Sequence, residues 1–398
     1  MSERIIRMAV VSDCHARPGR SATTPASTWV QSEEHDPGSN PLAGLGNFIE
    51  SEALSADVLL CPGDLCDQAR WEALPYVWER LEDLGTRLGA DALIATAGNH
   101  DIDSRGTHKP ELIAQGLRDL APPFPGCDHV TADDYWSRRI SLHEGERWQV
   151  VSLNSTLMRE LDSDAAEDDH GEISAETLVA LKTLLAGRVQ DVNVLMCHHH
   201  PLPSTHLNPD DRSQMEGGDQ LVRLLDELDG PWFVVHGHKH EPDLGYLSGT
   251  GNAPVRLASG SVGAVLLGRL GTHVRNQFHL IEFPVEQCEK IHLGLAGQVR
   301  SWTWRALTGW EKAAARDGLP ANAGFGHRRD GRSLARELIE HAKKDALLTL
   351  DRAALLKREP RLEFMLPRDI ERLISALEEH GGHVQLDLHG RLDRLVLP

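Results

Sequence analysis

Four times in this 398-residue chain a short apolar run stops at a cluster of carboxylate and imidazole side chains, and this recurrence constrains the fold more than any other feature. The clusters are Asp13 and His15 in "SDCH", Asp64 and Asp67 in "CPGDLCD", Asn99, His100 and Asp101 in "AGNHD", and His238 and His240 in "HGHKH". A fifth run, "VNVLMCHHH", ends in the triplet His198, His199 and His200 ahead of Pro201. Runs such as "RIIRMAVVSD", "DALIATAGNHD", "RWQVVSLNS" and "PWFVVHGHKH" have strand length and strand composition. The "WEALPYVWERLEDLGTRLG" segment between them has helical periodicity. Strands alternating with helices predict an α/β protein, whose ligand sites lie beyond the carboxyl ends of the strands.

Spacing sharpens the reading. Asp13 and His15 are two residues apart, as are His238 and His240, so on extended backbone each pair faces one way. Gly63, Gly98 and Gly237 precede Asp64, Asn99 and His238 and allow close backbone approach. Taken singly, Gly-Asp and Gly-Asn are ordinary turn dipeptides, and three histidines in a row are compatible with an exposed polar turn. Together and in this order they point to a metal site. Oxygen and imidazole donors without thiolate suit Mn, Fe, Zn or Co.

This constellation resembles that of the calcineurin-like metallophosphoesterases. Their pattern of D-x-H, G-D-x-x-D, G-N-H-D/E, a histidine before proline, and G-H-x-H is present as Asp13-Cys14-His15, Gly63 to Asp67, Gly98 to Asp101, His199-His200-Pro201 and Gly237 to His240. The resemblance covers about residues 5 to 283 and implies a four-layer α/β/β/α sandwich. It further implies two transition-metal ions, one held by Asp13, His15, Asp64 and His240, the other by Asp64, Asn99, His199 and His238. Asp64 would bridge. A hydroxide held between the metals would be the nucleophile, His100 would donate a proton or stabilise charge, and Asp67 and Asp101 would orient these groups from behind. The family's spacing to Pro201 selects His199 as ligand; His198 is the alternative, because strand parity at such a turn is open, and His200 is expected behind the site or facing solvent. "HHHPLP" with "VVHGHKH" is similar to bacterial class III cyclic-nucleotide phosphodiesterases, which makes a small phosphodiester the expected substrate.

Charge bears on the partner. The formal net charge is −19, and residues 331–398 carry 12 Lys/Arg against 12 Asp/Glu, so the first 330 residues hold the whole excess. Tracking a polyanion needs clustered Lys and Arg. A DNA or RNA nuclease is therefore the alternative enzyme, and a non-catalytic binding module of the same fold the alternative class. No apolar run approaches the roughly 20 residues of a membrane span, and the six cysteines show no CxxC pairing, so the chain reads as cytoplasmic with free thiols.

The expected division is a catalytic domain over 1–290 and a mainly helical region over 291–398. In the latter, "SWTWRALTGWEKAAARDG", "SLARELIEHAKKDALLTL" and "LPRDIERLISALEEHGG" are expected helices, "AGFGHRRDGR" a linker, and "HVQLDLHGRLDRLVLP" a hairpin. This region could serve self-association or a protein partner. Residues 16–47, rich in Pro, Gly, Ser and Thr, are expected to form a long loop beside the site, and Ser155 to Glu172 an acidic loop.

Overall fold

Alternation along the apolar runs decides how the layers stack. The computed structural model describes residues 4–19, 26–103, 112–126, 128–156, 170–203, 213–344, 349–387 and 391–397. The chain begins with β1 (Ile6–Val10), α1 (Pro41–Ser51), β2 (Val58–Cys61), α2 (Leu74–Leu88) and β3 (Ala92–Ala95), and these three strands pair in parallel. It continues through α3 (Gln115–Arg118), α4 (His129–Arg138), β4 (Ile140–Gly145), β5 (Trp148–Leu153), α5 (Ala175–Leu185) and β6 (Val192–Met196). After these come α6 (Gly218–Glu227), β7 (Trp232–His236), β8 (Asp243–Tyr246) and β9 (Val255–Ala258), then α7 (Gly268–His273), β10 (Asn276–Phe283), α8 (Val285–Lys290), β11 (Gly297–Arg305), β12 (Gly309–Lys312) and β13 (Asn322–Phe325).

Two sheets result. One has the order β12-β11-β10-β1-β2-β3 with β13 also on β11; the other has the order β4-β5-β6-β7-β9-β8. Met8, Val10, Val58 and Leu60 on the first sheet meet Val194, Met196, Phe233 and Val235 on the second in one buried cluster. Their neighbours Ala9, Leu59 and Cys61 face Leu45 and Ile49 of α1 and Leu74, Val77 and Leu81 of α2. On the far side Leu195 and Val234 face Leu181 of α5 and Leu221 of α6. Because successive strand side chains take opposite faces, the order is helix, sheet, sheet, helix, the expected four-layer sandwich.

Local chemistry starts these elements. Asn40 caps α1 by accepting from the Leu42 and Ala43 amides, with Pro41 in the first turn, where a missing N–H costs nothing. The expected loop over 16–47 therefore ends at the cap, and its residues 20–25 lie outside the described residues. So do residues 157–169 of the acidic segment. Cys14, Cys61, Cys66, Cys197 and Cys288 are free and buried.

The chain after β10 departs from the expectation. "SWTWRALTGWEK" is not helical: Trp302 and Trp304 lie on β11, which pairs with β10 along its length, and Trp302 stacks on Phe278 at 5.5 Å. Ala323 to Phe325 of "AGFG", expected in a linker, belong to β13. The first sheet thus extends to Phe325, past the 290 boundary. Apolar residues on both faces of an inner strand erase the two-residue alternation that would have revealed it. Beyond it, α9 (Gly331–Lys344), β14 (Thr349–Asp351), α10 (Arg352–Arg358), α11 (Pro367–Glu379), β15 (His383–Leu386) and β16 (Leu392–Val396) form a separate unit. Its sheet order is β14-β16-β15, over a core of Leu334, Leu338, Leu355, Leu373, Leu377 and Leu395. The hairpin of β15 and β16 and the helices α9 and α11 match the expectation; the His389-Gly390 turn lies outside the described residues.

Candidate metal centre

The functional side chains stand just past the carboxyl ends of β1, β2, β3, β6 and β7, where the two sheets face each other. Asp13, His15, Asp64, His238 and His240 all have left-handed backbone, with φ of 53°, 47°, 54°, 82° and 56°. Strand parity therefore does not aim them. Such conformations are unfavourable for residues with a Cβ and persist where surrounding structure dictates them, often at functional sites. His238 and His240 accordingly part company instead of facing one way: His240 joins Asp13, His15 and Asp64, whereas His238 joins His198 and His199.

In the first cluster His15 Nε2 lies 3.3 Å from Asp64 Oδ2 and 2.9 Å from His240 Nε2. His240 Nε2 is 3.4 Å from Asp13 Oδ1. Asp13 is fixed from behind by the His238 amide, which donates at 3.0 Å, and by Ser12. In the second, His198 Nδ1 sits 2.8 Å from the Pro62 carbonyl oxygen, which can only accept, so Nδ1 carries the proton. Its Nε2 faces Asn99 Oδ1, 3.0 Å away, and Asp64 Oδ2, 3.3 Å away. His238 Nδ1 meets the same Asn99 oxygen at 3.1 Å. Asp64 is common to both clusters.

Of the triplet, His198 and not His199 lies against Asn99 and Asp64, while both stand with His238 in one donor group. The His199 Nδ1 lies 2.9 Å from Ser155 Oγ, and its buried Nε2, like that of His238, has no hydrogen-bond partner among the described residues. The His199 and His238 rings are 4.7 Å apart. His200 does not face solvent: it is fully buried, its ring stacked on His238 at 5.7 Å.

Electrostatics follow burial. Desolvation keeps His15, His199 and His238 well disposed to stay neutral, His199 and His238 most strongly. Burial opposes charge on His198 too, but the Asp64 carboxylate outweighs it and pushes this ring up to about 9. Asp64 is correspondingly held well below the ordinary carboxylate value despite its burial, with His198 the largest stabilising neighbour. The ionised carboxylates and the imidazoles that stay neutral, those of His15, His199 and His238, stand in groups that could hold a metal ion.

Around this centre, His100 Nδ1 lies 2.8 Å from Asp67 Oδ1, and the Asp67 Oδ2 accepts from Arg17 at 2.7 Å and Ser27 at 2.8 Å. Burial raises the Asp67 pKa, but hydrogen bonds from His100 and His15 more than offset this and hold it far below the usual range. Asp101 accepts from the Cys66 and Gly98 amides, both at 2.9 Å, and ties the β2 and β3 loops together. Burial, then the charge of Asp64, pushes it up to about 7. Arg17, Ser27, Ser155 and Ser261, whose hydroxyl donates to the Asp13 carbonyl at 2.7 Å, were not singled out from the sequence. A lone Ser or Arg in a loop carries no positional signal there.

The comparisons agree with this geometry. The calcineurin-like phosphoesterase model matches residues 6–242, and a second, wHTH-Calcineurin_assc, matches 323–379. The chain is 23% identical over 193 residues to the 3',5'-cyclic adenosine monophosphate phosphodiesterase CpdA of Haemophilus influenzae, covering 48% of this chain and 58% of that protein. It is 28% identical over 163 residues to a cAMP/cGMP dual specificity phosphodiesterase of Mycobacterium tuberculosis, covering 40% and 42%. The chain thus spans about half the length of these relatives. A purple acid phosphatase from yellow lupin shares the fold with a TM-score of 0.50 at 13% identity, over 76% of this chain and 52% of that one. With its matched segment covering more than half of the chain, from β1 to the loop after β7, and all five loops that carry the clustered side chains, the chain belongs to the calcineurin-like phosphoesterase family.

Proposed function

We propose that the protein hydrolyses small phosphodiesters with a pair of divalent transition-metal ions. The observation that carries this reading is the meeting of two donor groups on Asp64 Oδ2, which lies 3.3 Å from His15 Nε2 in one and 3.3 Å from His198 Nε2 in the other. Asp13, His15, Asp64 and His240 would hold one ion, and Asp64, Asn99, His198 and His238 the other. His198 is preferred to His199 because a ligating imidazole characteristically gives its other N–H to a carbonyl, as His198 does to Pro62. When bound, such ions supply Lewis acidity at a phosphoryl oxygen and a water acidic enough to ionise near neutral pH.

The protein's own part falls to His100 and Asp67. An Nδ1–H held by Asp67 leaves His100 Nε2 as the nitrogen that exchanges a proton with a leaving oxygen, and the Asp67 charge stabilises the imidazolium. His100 is 23% exposed, so a substrate can reach it. Arg17, on the other Asp67 oxygen, holds that carboxylate in place.

The test is direct. Purified protein should contain up to two transition-metal ions, and chelation should abolish hydrolysis of bis(p-nitrophenyl) phosphate and of cyclic nucleotides. Full turnover in chelator with no metal detected would overturn the proposal. The wHTH match favours a second reading, cleavage of nucleic acid. Against it, α11 sets the exposed Glu371, Glu378 and Glu379 against Arg372 and the partly exposed Arg368, a net acidic surface that disfavours phosphates. Tight, steeply salt-dependent binding of duplex DNA would reverse this ranking.

A further inference from the structure

Between the phosphoesterase sheets and the C-terminal unit lies a cavity of about 390 Å³, within the size range of small-molecule sites. Leu244 and Leu319 line it from one side, and Leu355, Leu356, Ile370 and Ile374 from the other. Leu356, Ile370 and Ile374 are only half-buried, so apolar surface faces space that no side chain among the described residues fills. No aromatic residue lines it, which disfavours a stacked base and suits an aliphatic body.

The cavity adjoins a second, of about 150 Å³, and Asn322 and Arg391 line both. The smaller one is further lined by Arg300, Ser301, Trp302 and Lys312, and by no carboxylate. Three cations around one small recess stand out in a chain of net charge −19. The Arg300 guanidinium lies 4.9 Å over the Trp302 ring and 3.7 Å from Glu282, and Arg391 donates its Nε to Asp387 at 2.7 Å. Lys312 is exposed and has no ion-pair partner among the described residues. Arg300 and Lys312 come from β11 and β12, and Arg391 from the loop before β16, so the recess exists only where the two units meet.

We infer that this junction binds a small amphipathic anion, an aliphatic chain in the larger cavity with a single carboxylate or sulfonate on Arg300, Lys312 and Arg391. The site is separate from the metal ligands and stands whether or not the proposed hydrolysis is correct. Titration calorimetry on the full, metal-loaded chain with decanoate and decane-1-sulfonate tests it. One molecule per chain should bind, and acetate or 1-decanol should each bind at least about tenfold more weakly, since a charged hydrogen bond or several buried methylenes is lost. Lys312→Glu with Arg391→Glu, both on the surface, and separately Ile374→Trp, which fills the cavity, should each weaken decanoate about tenfold or more. The charge-reversal pair should leave the melting temperature near wild type, keeping the test valid should the tryptophan variant misfold. No binding of either anion to the wild type, decanol binding as tightly as decanoate, or decanoate affinity unchanged in the charge-reversal pair would each overturn the inference.

Discussion

A β-carbon on Gly98 would fall 2.1 Å from Asp64 Oδ1, and one on Gly63, whose φ is +97°, 2.7 Å from His198 Nδ1. These glycines are spacers that let two strand-end loops touch. Gly98→Ala should therefore displace Asp64 and empty both proposed metal positions while leaving the cores folded. Metal analysis and circular dichroism together check this. At the triplet, His198→Ala should lose metal and turnover together, while His199→Ala, which loses the contact to Ser155 and packing against the His198 and His238 rings, should keep at least part of both; the reverse outcome would return the ligand role to His199. His100→Asn should retain metal and lose a factor of about 10² to 10⁴ in rate, with a smaller loss on esters whose leaving group needs no proton. Asp67→Asn should act in the same direction through His100.

Among the elements, β10 and β11 hold a titratable group away from the metal centre. His279 is fully buried, its Nδ1 2.8 Å from Ser301 Oγ, while its Nε2 accepts from the Gly260 amide at 3.3 Å. Burial depresses it to about 3. The folded pKa lies below that of the unfolded chain, near 6.5, so the unfolded state binds the extra proton between these values. Stability from this group is present above about pH 6.5 and is lost as pH falls towards 3. His279→Gln, which can still accept from Gly260, should reduce the slope of unfolding free energy against pH by up to roughly 1.4 kcal/mol per unit in that window. Urea denaturation at pH 7 and pH 5, compared with wild type, checks it. The same strand pair shows where pattern reading stops. β10 was legible from "NQFHLIEF", but β11 was read as a helix because its tryptophans are buried by both α1 and β10, and that neighbourhood is not written in their order.

For the whole molecule, the sheet defines the smallest catalytic body. A chain ending after Lys290 lacks β11, β12 and β13 and uncovers Phe278, Leu280 and Ile281, so it should aggregate. One ending after Gly326 keeps all thirteen strands of the two sheets and should melt cooperatively with its metals, at a lower temperature because Leu366 no longer covers Phe325. Solubility and calorimetric melting of the two truncations distinguish these outcomes. Loss of cooperative melting in the longer one would make the C-terminal unit part of the same folding body.

By itself the sequence determined which chemistry was possible. Asp, Asn and His at strand ends, with glycines ahead of three of the clusters, are local facts of spacing; through the resemblance they carry to the calcineurin-like phosphoesterases they implied the sandwich and brought Asp13, His15, Asp64, Asn99, His100, His238 and His240 into one region, where the structure has them. Only the tertiary structure decided what depends on aim. His198 rather than His199 meets Asn99 because the chain after β6 turns that ring toward Pro62, and His238 and His240 separate because their left-handed backbone cancels strand parity. The reach of the first sheet to Phe325, and the junction it makes with the C-terminal unit, rest on contacts between residues far apart in the chain. No local pattern records such contacts, because a strand's partners, unlike a helix's, are chosen at a distance.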